Sequence, residues 1–265
     1  MESTRPIRAL MRGFDALTVL NLRDGATVSE VAQEIRLPRT TAYRILETLS
    51  NAGFVLRDPA DDRYRLTRRV KDLSRGFVDD PWVTEVATPC MVELCNEIVW
   101  PVSIATLSGL VMMLRKTTDH VTPLTLDRFS AGIRVPLLTS SAGRAYLAAC
   151  PAAQCDTLLD QLSRSSKEED KLARSPRPDV MRILADIRSQ GYATVPRTRR
   201  MVEEISMSAP VMSGERAMAA LTVRFSSSAV PLKTAIDRFL PKLQRCAGMI
   251  GAGLLEQSAG VVPTP

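Results

Sequence analysis

The sequence predicts an α+β chain in two parts: a small helical unit closed by a β-hairpin, and a larger unit mixing antiparallel strands with helices. Three observations predict it. Apolar residues recur at steps of three and four through the N-terminal stretch, which is the period of amphipathic helices. Further along, short apolar runs flank Ser108-Gly109 and Ser213-Gly214, as hairpins do. The length, 265 residues with 45% hydrophobic content, suits two ordinary domains with real cores. With only 5% aromatics, those cores must be built from Leu, Val, Ile, Met and Ala.

The first helix is predicted over Ile7 to Leu22, with Leu10, Phe14, Leu17 and Leu20 at helical spacing and Asp24-Gly25 ending it. Thr27-Val28-Ser29-Glu30 is a capping box, and it opens a short helix with Val31, Ala32 and Ile35 inward. Leu37-Pro38 ends that helix and starts a third, because proline is tolerated only in a first helical turn. The third helix runs to about Ala52, with Ile45, Leu46 and Leu49 inward and Gly53 as its left-handed cap. Strands Phe54–Arg57 and Arg63–Leu66 follow, joined through Asp58-Pro59-Ala60-Asp61-Asp62. Helix, helix, turn, helix and hairpin in this order form a winged helix-turn-helix.

Helices from about Arg68 to Phe77 and from Trp82 to Ile98 read as a helical linker bent at Pro81. Beyond it, the first hairpin is expected over Trp100–Leu107 and Leu110–Lys116, then helices over Ser141–Ala149 and Pro151–Leu162. Residues Ser163–Pro178 read as a loop and Pro178–Gln190 as an amphipathic helix closed by Gly191. A second hairpin, Met207–Met212 with Ala217–Phe225, precedes one last helix over about Leu232–Leu254. The expected divisions are 1–67 for the winged unit, 68–98 for the linker, 99–257 for the larger domain and 258–265 for a disordered tail.

The net charge is +6, and residues 1–77 hold 14 Lys and Arg against 10 Asp and Glu, an excess of four cations. A basic helix-turn-helix suits an acidic partner, double-stranded operator DNA. The third helix opens Pro38-Arg39-Thr40-Thr41-Ala42-Tyr43-Arg44, whose first turn can enter a major groove. Arg39 can reach a guanine edge or a phosphate, and Thr40 and Thr41 a phosphate or a thymine methyl. Arg44 shares that face, and Thr27, Pro38 and Tyr43 flank it. In the hairpin, Arg57, Arg63 and Arg65 beside an acidic tip can grip backbone or minor groove, and Arg5, Arg8 and Arg12 form a basic arm. The competing readings are solvated charges on a small helical domain, or a winged helix used for protein contacts.

The five cysteines, Cys90, Cys95, Cys150, Cys155 and Cys246, read as buried free thiols, and a single histidine, His120, leaves little for a metal site. There is no G-x-S-x-G, P-loop or H-E-x-x-H, so enzyme classes find no support and no cofactor is implied. No apolar run approaches the ~18 residues of a membrane span, and the N-terminus lacks a signal-peptide core, so a cytoplasmic protein without membrane contact is expected.

The chain resembles the IclR family of regulators over about residues 7–255. The resemblance rests on Leu37 through Leu49, Gly53-Phe54-Val55, Tyr64-Arg65-Leu66, Val135 through Ala145, Gly191-Tyr192-Ala193 and Ser208-Ala209-Pro210-Val211. Residues Val99-Trp100-Pro101 through Arg115-Lys116-Thr117-Thr118 are also similar to the subgroup sensing hydroxyphenylpropionate-type aromatic acids. The resemblance implies a GAF-like effector domain on an antiparallel sheet flanked by helices. It also implies a homodimer or homotetramer joined through the N-terminal domains, and effectors that are small acids. RNA polymerase is a further candidate partner. Aligned with the family's effector loops, this chain offers Ser141, Ala142, Ser206, Thr222 and Arg224. It departs at Thr194 through Arg200, which is basic where the family is acidic, with Val195 at an often polar position. A larger or more anionic ligand is then expected.

A two-residue loop at Ser108-Gly109 would set Val102 opposite Arg115 and Ile104 opposite Met113. Trp100, Val102, Ile104, Val111, Met113 and Arg115 would then share a face. That face is either a site for a small aromatic carboxylate, with Arg115 on the anion and Trp100 on the ring, or an ordinary core face. Ser140 and Ser141 at a helix start are either anion ligands or caps. His120 is a loop residue or a ligand contact. The reading is therefore a ligand-responsive regulator of aromatic-acid catabolism. The alternatives are a regulator sensing an aliphatic keto acid and a ligand-independent DNA-bridging protein.

Overall fold

A computed structural model of the chain describes residues 6–23, 25–76, 79–125, 128–199 and 202–260. Arg5, Asp24, Phe77, Arg200 and the last residues of the expected tail, 261–265, lie outside the described residues. The chain divides into two compact units, residues 1–78 and 79–265.

In the first unit, helices α1 (Arg8–Asn21), α2 (Val28–Glu34) and α3 (Arg39–Asn51) precede strands β1 (Val55–Asp58) and β2 (Arg63–Leu66). The capping box is formed: Thr27 Oγ1 accepts from the Glu30 amide, and the Thr27 amide donates to Glu30 Oε2 at 2.8 Å. Gly53 takes φ +77°, which ends α3 as expected. Between α2 and α3 the left-handed position falls on Arg36 at φ +52°, where the Leu37 amide donates to the Ala32 carbonyl. Ala16, Leu20, Val31, Ala42, Leu46, Val55 and Tyr64 form the core. Tyr64 of β2 is fully buried and donates its hydroxyl to Glu47 Oε1 at 2.7 Å, tying hairpin to α3. Burial and that carboxylate push the phenol up to about 12.

The segment after the hairpin is 3₁₀-helical, Arg68–Ser74. The expected linker ends there. The helix over Trp82–Ile98, a π-helical turn (Trp82–Ala87) leading into α4 (Thr88–Ile98), belongs to the second unit. Its Trp82, Val83, Ala87, Met91, Leu94, Cys95 and Ile98 are buried in the main core there, which a spacer would not provide.

The second unit is a six-stranded antiparallel sheet in the order β5-β4-β3-β8-β7-β6. The strands are β3 (Val102–Ser108), β4 (Val111–Thr117), β5 (Arg134–Pro136), β6 (Ala193–Arg199), β7 (Val202–Ser213) and β8 (Arg216–Ser226). The basic segment after Gly191-Tyr192 is thus strand β6, at the edge of the sheet. Side-chain alternation gives the central strands two faces. Ile205, Met207, Ala209 and Val211 of β7 and Leu221, Val223 and Phe225 of β8 pack under α4 and α9 (Leu240–Gly260). The opposite face meets α5 (Ser141–Ala149), α6 (Ala152–Ser163) and α7 (Arg177–Gln190) through Ala105, Met112, Leu114 and Ala220.

Several expectations are corrected. Both hairpin loops lie one residue further on: Ser108 pairs with Val111 and Ser213 with Arg216, so the loops are Gly109-Leu110 and Gly214-Glu215. Glycine takes the first loop position because positive φ is needed there, +61° at Gly109 and +60° at Gly214. Val102 therefore does not face Arg115, nor Ile104 Met113; Met113 pairs with Thr106, and a bulge follows between Ile104 and Ala105. The stretch read as a loop after α6 contains a 3₁₀ helix, Glu168–Arg174. The last helix is two, α8 (Leu232–Arg238) and α9, and α9 extends through Gly260 into the expected tail. The cysteines are free, with Cys90 half-buried and the rest buried.

Helix α5 approaches the chain ahead of it through Gly143, where a Cβ would lie 2.2 Å from the Leu137 carbonyl oxygen and 2.4 Å from its Cα. Gly143→Ala gains about 1 kcal/mol of helix propensity against a backbone clash worth about 3 kcal/mol or more. Urea denaturation of this variant should show a net loss of about 2 kcal/mol or more. An unchanged or stabilised protein would contradict this packing of α5.

Candidate DNA-reading surface and effector site

Pro38, Arg39, Thr40, Tyr43 and Arg44 are exposed on α3 and Thr41 is half-buried, while Ala42 and Leu46 point into the core. Arg36, Arg39 and Arg44 form no ion pair among the described residues. The first turn of α3 therefore presents two threonines, a tyrosine and free guanidinium groups on one surface. Arg8 is exposed on α1 and Arg12 half-buried. Thr27 commits its hydroxyl to the capping box.

The hairpin arginines are engaged within the unit. Arg57 meets Asp62 at 2.5 Å, a contact that holds its guanidinium above the usual range. Arg63 reaches Glu30 at 3.1 Å and the Gly25 carbonyl at 3.0 Å. Arg65 meets Asp58 at 2.9 Å and Asp61 at 2.5 Å, and its hydrogen bond keeps Asp61 below the ordinary carboxylate range.

In the second unit, a buried polar cluster occupies the sheet face opposite the main core. β7 and β8 pair Ser208 with Thr222 and Ser206 with Arg224. Ser208 Oγ donates to Ser141 Oγ at 2.7 Å and shares a 2.7 Å bond with Thr222 Oγ1. Arg224, with 3% of its side chain exposed, donates through Nη2 to both Asp119 carboxylate oxygens at 2.6 and 2.5 Å. Glu204 lies 3.5 Å from its Nη1, and the Phe129 ring stacks 3.8 Å from its guanidinium carbon. Asp119 also accepts from the Phe129 amide at 2.6 Å and from Thr117 Oγ1. A charge this deeply buried needs such a partner, since desolvation otherwise dominates.

Of the expected effector residues, Ser141, Ser206, Thr222 and Arg224 come together here. Ala142 is buried beside them in the α5 core. Trp100, Met113 and Arg115 do not join them. A two-residue register shift leaves side chains on their expected face, but that face is the covered one. Trp100 packs edge-on against Phe225 at 6.5 Å. Arg115, 14% exposed, bonds Asp79 and Asp80, where the second unit begins, and Thr106 at 3.3 Å. Ser140 caps α5, accepting from the Gly143 amide at 3.0 Å and donating to the Pro136 carbonyl. His120 is exposed. Sequence reasoning missed Ser208, which alternation from Ser206 on one strand could have found. It also missed Asp119, Phe129 and Glu204, which carry no local signal.

Among the described residues, no group of His, Cys, Asp and Glu side chains is placed to hold a metal ion, and no helix is long and apolar enough to cross a membrane.

Comparison with known proteins gives this arrangement its family. Residues 9–59 match the IclR helix-turn-helix domain, and residues 77–252 match the bacterial transcriptional regulator IclR C-terminal domain. The chain is 24% identical over 241 residues to the probable transcriptional regulator SauR of Cupriavidus necator, covering 90% of this chain and 94% of that protein. The crystal structure of an IclR family transcriptional regulator from Brucella abortus has the same fold, with a TM-score of 0.69 at 23% identity, over 94% of this chain and 93% of that one. So does an IclR homolog complexed with 4-hydroxybenzoate from Microbacterium hydrocarbonoxydans, with a TM-score of 0.63 at 22% identity, over 94% of this chain and 99% of that one. An N-terminal helix-turn-helix joined to a curled antiparallel sheet, both matched along their length, leaves one assignment: the chain belongs to the IclR family of bacterial transcriptional regulators, DNA-binding proteins that respond to ligands and are not enzymes.

Proposed function

We propose that this regulator senses a small organic carboxylate, aromatic in its preferred form, at the Ser141–Ser208–Thr222 cluster beside Arg224, and works on operator DNA in the cytoplasm as a homodimer. The observation that carries the ligand reading is the juxtaposition itself. Hydroxyls from α5, β7 and β8 converge next to a buried guanidinium capped by the Phe129 ring. Hydroxyls can donate to a carboxylate, and the ring suits a flat apolar body. Arg115, held by Asp79 and Asp80, drops out as the anion partner, and Arg224, held by Asp119 and Glu204, forms a fixed wall of the site, so the hydroxyls carry the contact with the carboxylate. The homodimer reading is supported by an apolar groove of about 750 Å³ in the first unit, lined by Leu10, Phe14 and Leu17 of α1, Ile45 and Leu49 of α3, and Leu73. Phe14 is half-exposed there, and Arg12 and Arg44 also line the groove.

Calorimetry with 4-hydroxybenzoate, 3-phenylpropionate and glyoxylate tests the ligand reading. The aromatic acids should bind, and Ser208→Ala should weaken them about fivefold, the loss of one hydrogen bond worth about 1 kcal/mol. Binding of glyoxylate alone would replace the aromatic reading with an aliphatic keto acid, and undiminished binding by the variant would remove the hydroxyl cluster from the site.

The DNA reading is tested at Arg39. Arg39→Ala should cost about 1–3 kcal/mol on a duplex selected by the wild-type chain from a random library, and less on unrelated DNA, if Arg39 holds a base edge. Equal losses on both would make it a phosphate contact. No loss would contradict the groove orientation of α3. A footprint of the wild-type chain on the selected duplex should cover two half-sites related by a two-fold, as a dimer requires.

A further inference from the structure

We infer that the 3₁₀ segment Arg68–Ser74 is a second DNA-contacting element, gripping the phosphate backbone through Arg68 and Lys71, and that the hairpin arginines do not supply this grip. The inference rests on the DNA-binding role of the first unit and concerns where its phosphate contacts lie. The hairpin is the expected place, but its charge is spent. Arg57, Arg63 and Arg65 are matched by Asp62, Glu30, Asp58 and Asp61, all at 3.1 Å or closer. A phosphate approaching this tip would have to break an ion pair and would meet the released carboxylate.

The next eight residues are the reverse. Residues 68–75 read Arg-Arg-Val-Lys-Asp-Leu-Ser-Arg, four cations and one acid. Side chains three apart eclipse in a 3₁₀ helix, so the segment has three faces. Val70 and Leu73 form an apolar one, and Leu73 enters the groove beside α1 and α3. Arg69, Asp72 and Arg75 form the second. Asp72 is taken by Arg75 at 3.1 Å, and Arg69 lies over the Phe54 ring at 5.1 Å. Arg68 and Lys71 form the third, both exposed, stacked about 6 Å apart along the axis, and without an ion pair among the described residues.

The platform under them is fixed. Thr67 Oγ1 donates to the Gly53 carbonyl at 2.6 Å and accepts from the Arg69 amide at 3.2 Å, which ties the segment to the C-terminal end of α3. These cations border an open cleft of about 900 Å³ lined by Arg68, Arg69, Lys71, Asp72 and Arg75. Two unneutralised cations held on one face of a helix repel each other, and a polyanion relieves that repulsion. The backbone of the duplex read by α3 is the polyanion of matching chemistry.

The test is the salt dependence of DNA binding by the full chain, followed by fluorescence anisotropy between 50 and 200 mM salt. The probes are a duplex selected by the wild-type chain from a random library and an unrelated duplex. The double variant Arg68→Gln/Lys71→Gln should lower the slope of log affinity against log salt by nearly 2, since each lost phosphate contact is worth ~0.9. It should weaken both duplexes by the same factor, and Arg57→Gln should leave the slope unchanged. Both replaced side chains are exposed, so an unchanged melting temperature will certify the fold. An unaltered slope in the double variant, a loss confined to the selected duplex, or a slope reduced by Arg57→Gln instead would each overturn the inference. Failure of the wild-type chain to enrich any sequence would overturn the DNA-binding reading itself, a result separate from these.

Discussion

Strand β8 carries two incompatible faces, and the second unit is organised around keeping them apart. Leu221, Val223 and Phe225 face the main core, while Thr222 and Arg224 face the other way and are equally buried. A slip of one residue would drive a guanidinium into the apolar core and bring Phe225 to the polar side, so register is strongly specified. Pairing with β7 reinforces it, because Met207 and Ile205 alternate with Ser208 and Ser206 in phase. The price of the polar face is met by the Asp119–Arg224 ion pair. Breaking such a buried pair costs about 3–5 kcal/mol, which is why Asp119 is brought in from 105 residues away. The hydroxyls next to it, Ser141, Ser208 and Thr222, are bonded to one another.

The first unit follows a different logic, in which ion pairs decide what is left over. Glu47 is occupied by the buried Tyr64 hydroxyl, and the acids around the hairpin hold its arginines. What stays without a carboxylate partner among the described residues is the cationic edge of α3 and of the 3₁₀ segment behind it. The hairpin is thus largely a structural clasp, on α3 through Tyr64–Glu47 and on the start of α2 through the Arg63–Glu30 pair. The capping box contributes to the same end, since Glu30 serves Thr27 and Arg63 together. Its carboxylate sits below the usual range, first because of the Thr27 amide.

Much of this was legible in the sequence because its causes are local. Thr27 with Glu30, Pro38, and Gly53 each specify backbone geometry within a turn of themselves, so the helices of the first unit fall where expected. Hairpins were found but placed one residue early, twice for one reason: glycine was put second in the loop, whereas positive φ is required first. The buried polar cluster was half visible. Family resemblance pointed to Ser141, Ser206, Thr222 and Arg224, whereas Asp119 and Phe129 reach the cluster only through tertiary folding. Arg115 illustrates the limit most clearly. Its strand face was right, but the aspartates that occupy it lie 35 and 36 residues earlier, in a segment that read as linker.

The account holds that one chain converts acid binding into a change of operator affinity. The most direct measurement is the operator affinity of the full chain with and without saturating 4-hydroxybenzoate, together with the affinity for the acid with and without operator. Linkage requires the two ratios to be equal, and a regulator of this kind should show a factor of about 5–150. Acid binding that leaves operator affinity unchanged would contradict the account.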